Sequence, residues 1–314
     1  NKDQMSFRLR FVFSILFISG FLKVLAQPVE TVVQAGHYAA VTSVCYSTDG
    51  IFIATGSEDK TIILWRTSDG RQIRSFRGSA SGISHLEFNR QGTAILSLSS
   101  DGTWIIWDVA TGKMKSKLKP VEDRFTYASF SPDGLQVIAG TRKSGISSWN
   151  AETGAKIIDY KPVPGNLYGD KGFEYPEAGT VSFSNDGQFV VAGAGDNTAI
   201  FFAAKTGKEI RKYKKTKSTC TTCIAEAVIT ADNKYILLAR SDSIKMFDRE
   251  NGILVRKFYG QGGSPENLTV SSDNKNVSAI EYGVAEVWEI KTGKLVVKAG
   301  DYSKNKVLAA ALSP

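Results

Sequence analysis

Short apolar runs separated by polar turns recur along the chain from residue 36 onwards. The clearest example is Ile105-Ile106-Trp107, which is followed by the polar stretch Asp108 to Lys113 and then by a second, shorter run. Runs of this length with β-branched and aromatic side chains are typical of β-strands. Gly112 stands at the end of the turn, where glycine adopts a positive φ without steric strain. The pattern therefore predicts a β-hairpin.

The same hairpin pattern occurs six times, each time with an aromatic residue five positions before a glycine. The pairs are Trp65 and Gly70, Trp107 and Gly112, Trp149 and Gly154, Phe202 and Gly207, Phe247 and Gly252, and Trp288 and Gly293. Successive glycines are 42, 42, 53, 45 and 41 residues apart. A nearly constant period of this kind indicates an array of one supersecondary unit with a shared core.

The first unit contains four β-rich runs and the most complete set of motifs. In order, it comprises Gly36-His37, Val41 to Ser47, Asp49-Gly50, Ile53 to Ser57, Asp59, Ile62 to Trp65, and Gln72 to Phe76. This order of Gly-His, Ser-x-Asp-Gly, Gly-Ser-x-Asp and a closing Trp resembles the WD-repeat β-propellers of the WD40 family. The resemblance covers residues 36 to 314. It implies an all-β propeller in which each repeat forms a four-stranded blade around a central channel.

Six full blades and an incomplete seventh follow from the repeat count. The seventh unit begins at Val307 and has only its first strand before Pro314. WD-repeat propellers usually close by pairing an N-terminal strand, here Val29 to Ala35, with the last three strands of the chain. The resemblance therefore implies a C-terminally truncated fragment, with the ring open between the sixth and first blades.

The first 26 residues have the organisation of a secretory signal peptide. Met5 is the expected start, Arg8 and Arg10 form a basic segment, and Phe11 to Leu22 form an apolar segment. Val24 and Ala26 are small residues before a cleavage site, so we expect cleavage after Ala26 and export of residues 27 to 314. A transmembrane anchor is the alternative reading, but the apolar segment is short of the roughly 20 residues that cross a bilayer.

Cleavage also changes the net charge of the chain. It would remove four basic residues and one acidic residue, which lowers the formal charge from +8 to +5. A mildly basic chain gives no argument for a nucleic-acid partner. An exported protein of this charge would instead meet anionic surfaces or acidic partners.

The WD40 resemblance implies a buried polar network in the first blade, made by His37, Ser57, Asp59 and Trp65. The indole N–H only donates, whereas the hydroxyl and the imidazole both donate and accept, so these groups can connect the tryptophan to the carboxylate. The other blades depart from this set. Ser79 replaces the histidine of the second blade, Lys143 replaces the aspartate of the third, and Phe202 and Phe247 replace the tryptophan of the fourth and fifth. These departures predict apolar packing there.

The sequence contains no recognisable catalytic constellation and no pattern for a metal ion or cofactor. Its two histidines are His37, with a structural role, and His85, expected in the core or at the channel wall. This leaves little for a zinc site or a Ser-His-Asp triad. Gly78 to Gly82 has Ala80 at the position where a nucleophile elbow has serine, and Gly193-Ala194-Gly195 lacks the third glycine of a dinucleotide fingerprint.

Cys220 and Cys223 form the sharpest local motif. In an exported chain we expect a local disulfide between them, with two unpaired thiols as the alternative. Cys45 is expected to be a buried small hydrophobe.

Two connections between blades depart from the repeat and are the predicted partner-binding segments. The longer one carries Tyr168, Phe173 and Tyr175 among glycines, and the other begins with the basic run Arg211, Lys212, Tyr213, Lys214 and Lys215. Aromatic side chains in adaptable loops are typical of recognition surfaces. The alternative is a loop packed on itself with solvated lysines.

The sequence therefore predicts a non-catalytic, exported scaffold that binds protein partners, without nucleic acid and without a membrane span in the mature chain. The alternative is an N-terminal regulatory or interaction segment of a longer enzyme, with its catalytic domain beyond residue 314.

Overall fold

The computed structural model describes residues 36–118, 123–141, 145–160, 180–193, 199–213, 226–240, 243–260, 265–300 and 307–313. Within these ranges the chain forms 24 β-strands and no helix. The strands form six antiparallel sheets of four, and the strand order in each sheet follows the order in the sequence.

Each sheet is one blade of four consecutive strands. The first three blades comprise β1 Val41–Tyr46, β2 Phe52–Ser57, β3 Ile62–Arg66 and β4 Gln72–Phe76; β5 Ile83–Phe88, β6 Ala94–Ser99, β7 Trp104–Asp108 and β8 Met114–Leu118; and β9 Phe125–Phe130, β10 Gln136–Thr141, β11 Gly145–Asn150 and β12 Lys156–Tyr160. The next three comprise β13 Val181–Phe183, β14 Phe189–Gly193, β15 Ala199–Ala203 and β16 Glu209–Tyr213; β17 Glu226–Ile229, β18 Tyr235–Arg240, β19 Ser243–Asp248 and β20 Leu254–Phe258; and β21 Glu266–Val270, β22 Asn276–Glu281, β23 Val284–Glu289 and β24 Leu295–Ala299.

The blades surround a central channel. From the first blade to the sixth, the first strands of consecutive blades pack against each other. All six first strands, together with residues 309–313, line one cavity of about 600 Å³. The fourth strands lie at the periphery, where most of their side chains are at least partly exposed. The described residues therefore form a six-bladed all-β propeller, which confirms the predicted fold class.

Every blade has two ends, which we call the connection face and the turn face. At the connection face the first strand begins and the fourth strand ends. The turn between the second and third strands lies at the same face. The other two turns lie at the turn face. This arrangement follows from the antiparallel order and is the same in all six described blades.

The Ser-x-Asp motif builds the first turn of the blade. In the first blade the Ser47 hydroxyl donates to Asp49 Oδ1 at 2.6 Å, and the N–H of Ile51 donates to the same oxygen at 3.0 Å. Gly50 follows at φ +70°, which glycine adopts without strain. The same side-chain bond joins Ser131 and Asp133, Ser184 and Asp186, Thr230 and Asp232, and Ser271 and Asp273.

The core lies between neighbouring blades. Strand β6 is buried along its whole length, because its two faces pack against the blades on either side. Between the second and third blades, Trp104, Phe125 and Trp149 form an aromatic cluster with Phe125 edge-on to Trp149 at 4.9 Å between ring centroids. Each blade therefore buries its apolar residues only when its neighbours are in place.

Residues 307–313 continue from the sixth blade towards the channel. The N–H of Val307 donates to the carbonyl of Gly283 at 2.7 Å, and its side chain packs on Ile280 and Ala285. The N–H of Phe125, at the start of the third blade, makes the same bond to Gly102 at 3.2 Å. Residues 307–313 form no strand in this structure. The incomplete seventh blade and the open ring therefore stay predictions.

Candidate functional site

A buried hydrogen-bond network connects the strands of the first blade. Trp65 Nε1 donates to Thr55 Oγ1 at 2.8 Å, and the same oxygen lies 2.8 Å from His37 Nε2. His37 Nδ1 lies 2.9 Å from Asp59 Oδ2. These partners assign the proton of the imidazole to Nδ1, which donates to the carboxylate, while Nε2 accepts from the Thr55 hydroxyl. The chain of donors therefore runs from Trp65 through Thr55 and His37 to Asp59.

The hydroxyl in this network belongs to Thr55, so the prediction of Ser57 in that position was wrong. Trp65 pairs with Ile53 of β2. Its indole extends along the same face of β2 to the residue two positions further on, which is Thr55. Ser57 stands at the end of β2, where its hydroxyl accepts the N–H of Asp59 at 3.0 Å. Ser57 stabilises the turn that places Asp59 and does not contact the imidazole.

Asp59 is the anchor of the network. Burial opposes the ionisation of its carboxyl group, but hydrogen bonds from the hydroxyl and N–H of Thr61, together with His37, outweigh that effect and hold its pKa below the usual value. The N–H of Tyr38 donates to Asp59 Oδ2 at 3.1 Å. His37 is fully engaged in this network, which gives it the structural role that the sequence predicted.

The other blades keep parts of the network or replace it with apolar contacts. In the second blade Trp107 still donates to Ser97 at 2.8 Å, while Ser79 bonds to Ser99 at 2.6 Å. In the fourth blade Phe202 packs edge-on against Tyr160 at 5.6 Å between centroids. Phe247 of the fifth blade packs against Tyr213 at 5.3 Å. The predicted apolar packing is thus present at both phenylalanines.

Several predicted site residues lie outside the part of the chain that the structure describes. They are Lys143, Tyr168, Phe173, Tyr175, Lys214, Lys215, Cys220 and Cys223. Their predicted roles, including the disulfide, stay predictions. The strands that flank them are described: β12 ends and β13 begins at the connection face, and so do β16 and β17.

Three residues of the basic run, Arg211, Lys212 and Tyr213, lie on β16 in the described part of the chain. Tyr213 is only 4% exposed and packs against Phe247 in the core between the fourth and fifth blades, so it is not part of an exposed binding surface. Arg211 donates to the carbonyls of Asn251 at 2.9 Å and Glu250 at 2.7 Å, in the last turn of the next blade. Its guanidinium group therefore points to the turn face and joins two blades. Lys212 is half-buried on β16.

This contact recurs between other blades, which indicates a structural role. Arg74 donates to Thr111 and Ala110 of the second blade, and Arg256 donates to Thr292 of the sixth. Each arginine lies against the glycine that ends the turn, since a Cβ on Gly112 would approach Arg74 Cδ to 2.8 Å. Sequence spacing alone did not reveal this inter-blade contact.

Replacing Arg211 by methionine is expected to lower the free energy of unfolding by about 1–2 kcal/mol, because two carbonyls lose a charged donor. The measurement is urea denaturation followed by tryptophan fluorescence. Lys208→Met removes the same charge from an exposed position of the same hairpin and should leave the midpoint unchanged. Equal midpoints for the two variants would contradict the inter-blade role of Arg211.

The wall of the channel carries two rings of mostly polar side chains, one residue from each blade. The connection-side ring consists of Ser43, His85, Tyr127, Thr180, Glu226 and Asn267. The strand register aligns the first five, and Asn267 of the sixth blade, where the register is irregular, lines the same cavity. It likewise aligns the turn-side ring, which consists of Cys45, Glu87, Ser129, Ser182, Val228 and Thr269. His85 is thus channel-lining, one of its two predicted positions. Cys45 lies half-buried at the channel, whereas the sequence predicted a buried position.

Two glutamates in these rings each bond to the next blade. Glu87 accepts the Ser129 hydroxyl at 3.2 Å and the N–H of Phe130 at 3.1 Å. Glu226 accepts the N–H groups of Asn267 at 3.1 Å and Leu268 at 2.6 Å. Burial has the largest effect on the pKa of both carboxyl groups and raises it, whereas the hydrogen bonds lower it. The net result is a pKa of about 8 for Glu87 and a raised pKa for Glu226.

The sequence interpretation did not single out these glutamates. A signal was present, because the first-strand runs place polar residues at alternate positions, as in Ser84-His85-Leu86-Glu87, next to strands that are continuously apolar.

Burial lowers the pKa of His85 to about 4, so the imidazole is neutral at pH 7. Its ring packs against Tyr127 at 4.3 Å between centroids. Among the residues described, no group of three His, Cys, Asp or Glu is arranged to hold a metal ion.

Comparison with known proteins agrees with this geometry. Residues 27–66, 70–108 and 178–202 match the sequence model of the family described as WD domain, G-beta repeat. No curated protein sequence matches the chain. Among solved structures, the crystal structure of the β-propeller domain of Cps50 (Swd1) from Myceliophteria thermophila superposes with a TM-score of 0.72 at 18% identity. The superposition covers 90% of this chain and 92% of that domain, and at this identity it concerns the fold. The four-stranded blades and the structural match show that the chain is a β-propeller, and residues 27–66, 70–108 and 178–202 carry WD40 repeats.

Proposed function

We propose that this propeller is an exported, non-catalytic scaffold that binds a protein partner through its long inter-blade connections. WD40 propellers are typical protein-interaction scaffolds, which supports the general class. The step from this fold to a particular role is an analogy, so it needs support from features of this chain.

The observation that carries the proposal is the contrast between uniform blades and unequal connections. Residues 77–82, 119–124 and 259–265 connect three pairs of blades, whereas residues 161–180 and 214–225 connect the third, fourth and fifth blades. The two longer connections start and end at the connection face, on blades whose strands are paired in antiparallel ladders. Segments that vary in length on a rigid frame are where recognition residues concentrate.

The positions of the two histidines support the non-catalytic part of the proposal. His37 has both ring nitrogens engaged in the first blade, and His85 is neutral at pH 7 in the channel wall. Among the described residues, neither imidazole hydrogen-bonds to a serine or cysteine, as the base of a nucleophilic pair would.

Replacing Tyr168, Phe173 and Tyr175 together by serine is expected to abolish capture of the partner from the native extract while the melting temperature stays unchanged. The measurement is a pull-down followed by mass spectrometry. Tyr259→Ser is the matched control, because Tyr259 is 62% exposed on a short connection at the same face. Identical sets of bound proteins for the triple variant and the wild type would reject the long connection as the binding segment.

Export is tested by sequencing the N-terminus of the protein expressed in its native host. We expect the mature chain to start at Gln27, because a basic segment, an apolar segment and small residues precede it in that order. A mature chain that retains Phe11 to Leu22 would contradict export by cleavage. In the part of the chain described by the structure, no helix has the length and apolar character to cross a membrane.

A further inference from the structure

We propose that the central channel binds an organic cation, with an ammonium or guanidinium group held by the carboxylates of Glu87 and Glu226. The proposal concerns a different site from the inter-blade connections and does not depend on them.

The channel has room for such a group and presents both carboxylates to it. The cavity of about 600 Å³ is lined by both glutamates, and each of the two side chains is half-buried at the wall. Glu87 belongs to the second blade and Glu226 to the fifth, so the third and fourth blades separate them around the channel. The two carboxylates are therefore suited to an extended cation that contacts more than one blade.

Each carboxylate retains hydrogen-bond capacity after its contacts within the protein. A carboxylate has two oxygens with about four acceptor positions. Glu87 uses two of them for Ser129 and Phe130, and Glu226 uses two for Asn267 and Leu268. These donors are neutral, and they fix the orientation of both side chains while acceptor positions remain for a ligand in the channel.

The described lining of the channel contains no cation beside these carboxylates. Arg90 is the one Lys or Arg among its described residues; its side chain is exposed, and its guanidinium donates to the carbonyl of Asn185 at 3.3 Å. A half-buried carboxylate without a counter-charge is unfavourable when ionised, and an entering cation removes that penalty. The channel therefore selects for positive charge.

The remaining ring members favour a cation or are neutral towards it. His85 is uncharged at pH 7, so it does not repel a cation. Burial raises the pKa of the Tyr127 hydroxyl, and the charges of Glu87 and Glu226 raise it further, so both carboxylates act on the same part of the channel.

An organic cation fits better than a metal ion. Metal sites need three or more ligands at short distance, and no such group of His, Cys, Asp or Glu occurs among the described residues. An alkyl ammonium or a guanidinium needs only a few acceptors and carries apolar carbon that can lie along Val228. This chemistry occurs in the lysine and arginine side chains of a partner protein and in free polyamines.

The test is isothermal titration calorimetry of the purified protein with spermidine and, separately, with the peptide acetyl-Gly-Arg-Gly-amide. We expect saturable binding of at least one probe and none of acetyl-Gly-Gln-Gly-amide. Glu87→Gln and Glu226→Gln should each weaken binding about tenfold or more, since each removes a charged acceptor. Glu209→Gln, at an exposed position of β16, is the control and should bind like the wild type.

The two probes distinguish the source of the cation. Binding of spermidine alone indicates a free polyamine, and binding of the peptide indicates a protein side chain. Absence of saturable binding of both probes to the wild-type protein would overturn the proposal, as would unchanged affinity in the Glu87→Gln/Glu226→Gln double variant.

A measurement on the wild-type protein keeps the test decisive where a variant fails to fold. With a pKa of about 8 the Glu87 carboxyl is mostly protonated at pH 7, and a bound cation lowers this pKa, so binding should release a proton. Affinity should therefore rise between pH 6 and pH 8, a range in which both probes stay positively charged. The titratable groups near Glu87 are Cys45, His85, Tyr127 and Glu226. His85 is neutral across this pH range. Cys45 and Tyr127 stay protonated, because burial raises the pKa of both groups. Equal affinity at both ends of this range would contradict the role of Glu87.

Discussion

Replacing Gly102 by alanine is expected to destabilise the propeller by about 3 kcal/mol or more, because two unfavourable effects add at this position. Gly102 has φ +74°, which L-residues adopt only with strain. A Cβ at this position would also approach the Cα of Arg124 to 2.7 Å and the backbone nitrogen of Phe125 to 2.9 Å. These are backbone atoms at the start of the third blade, so the clash pushes the second and third blades apart.

Gly92→Ala is the matched control, since Gly92 has nearly the same φ, +68°, but no atom lies within 4 Å of its added Cβ. This variant should lose only about 1 kcal/mol, from backbone strain alone. The measurement is the free energy of unfolding from urea titration. The difference between the two variants then reports the close contact between blades, and equal losses would show that the contact at Gly102 is unimportant.

Replacing Thr55 by valine should destabilise the protein by about 2–4 kcal/mol, although the shape of the side chain hardly changes. The substitution leaves the Trp65 N–H without its acceptor and His37 Nε2 without its donor, and both groups are buried. Trp65→Phe, which removes only the donor end, should lose less, about 1–3 kcal/mol. Thermal unfolding followed by circular dichroism measures both variants.

Two further substitutions test the assignment of the hydroxyl. Ser97→Ala in the second blade removes one hydrogen bond from Trp107 and should have about half the effect of Thr55→Val. Ser57→Ala removes an acceptor from the turn at Asp59 and leaves the imidazole contacts in place. If Ser57→Ala were the more destabilising variant, the connection through Thr55 would be incorrect.

Local sequence chemistry predicted the repeating parts of the fold. Gly50 and Gly112 mark turns because their positive φ is set by the turn itself, and Ser47 and Asp49 are close in sequence because they bond within one turn. The alternation of apolar residues that predicted the strands has the same local origin, since side chains of a strand point to opposite faces in turn. His37, Asp59 and Trp65 were predicted from the family resemblance, and all three are in the network.

Contacts between distant segments could not be predicted in this way. Thr55 and Ser57 are both hydroxyl residues on the same face of β2, and only the reach of the Trp65 indole selects between them. Tyr213 belongs to a basic run in the sequence, but the next blade covers it. A run of charges indicates exposure on average, whereas the burial of one residue depends on what packs against it.

The sequence by itself determined the all-β class, the period of the blades and the positions of their turns, because each of these depends on interactions within a few residues. The tertiary structure alone decided which residues meet between blades and around the axis. Glu87 and Glu226 stand on blades that are far apart in the chain, and only the circular arrangement of the first strands brings their carboxylates to one channel. Burial then raises the pKa of both carboxyl groups, and this depends on the packing around them, which no local pattern specifies.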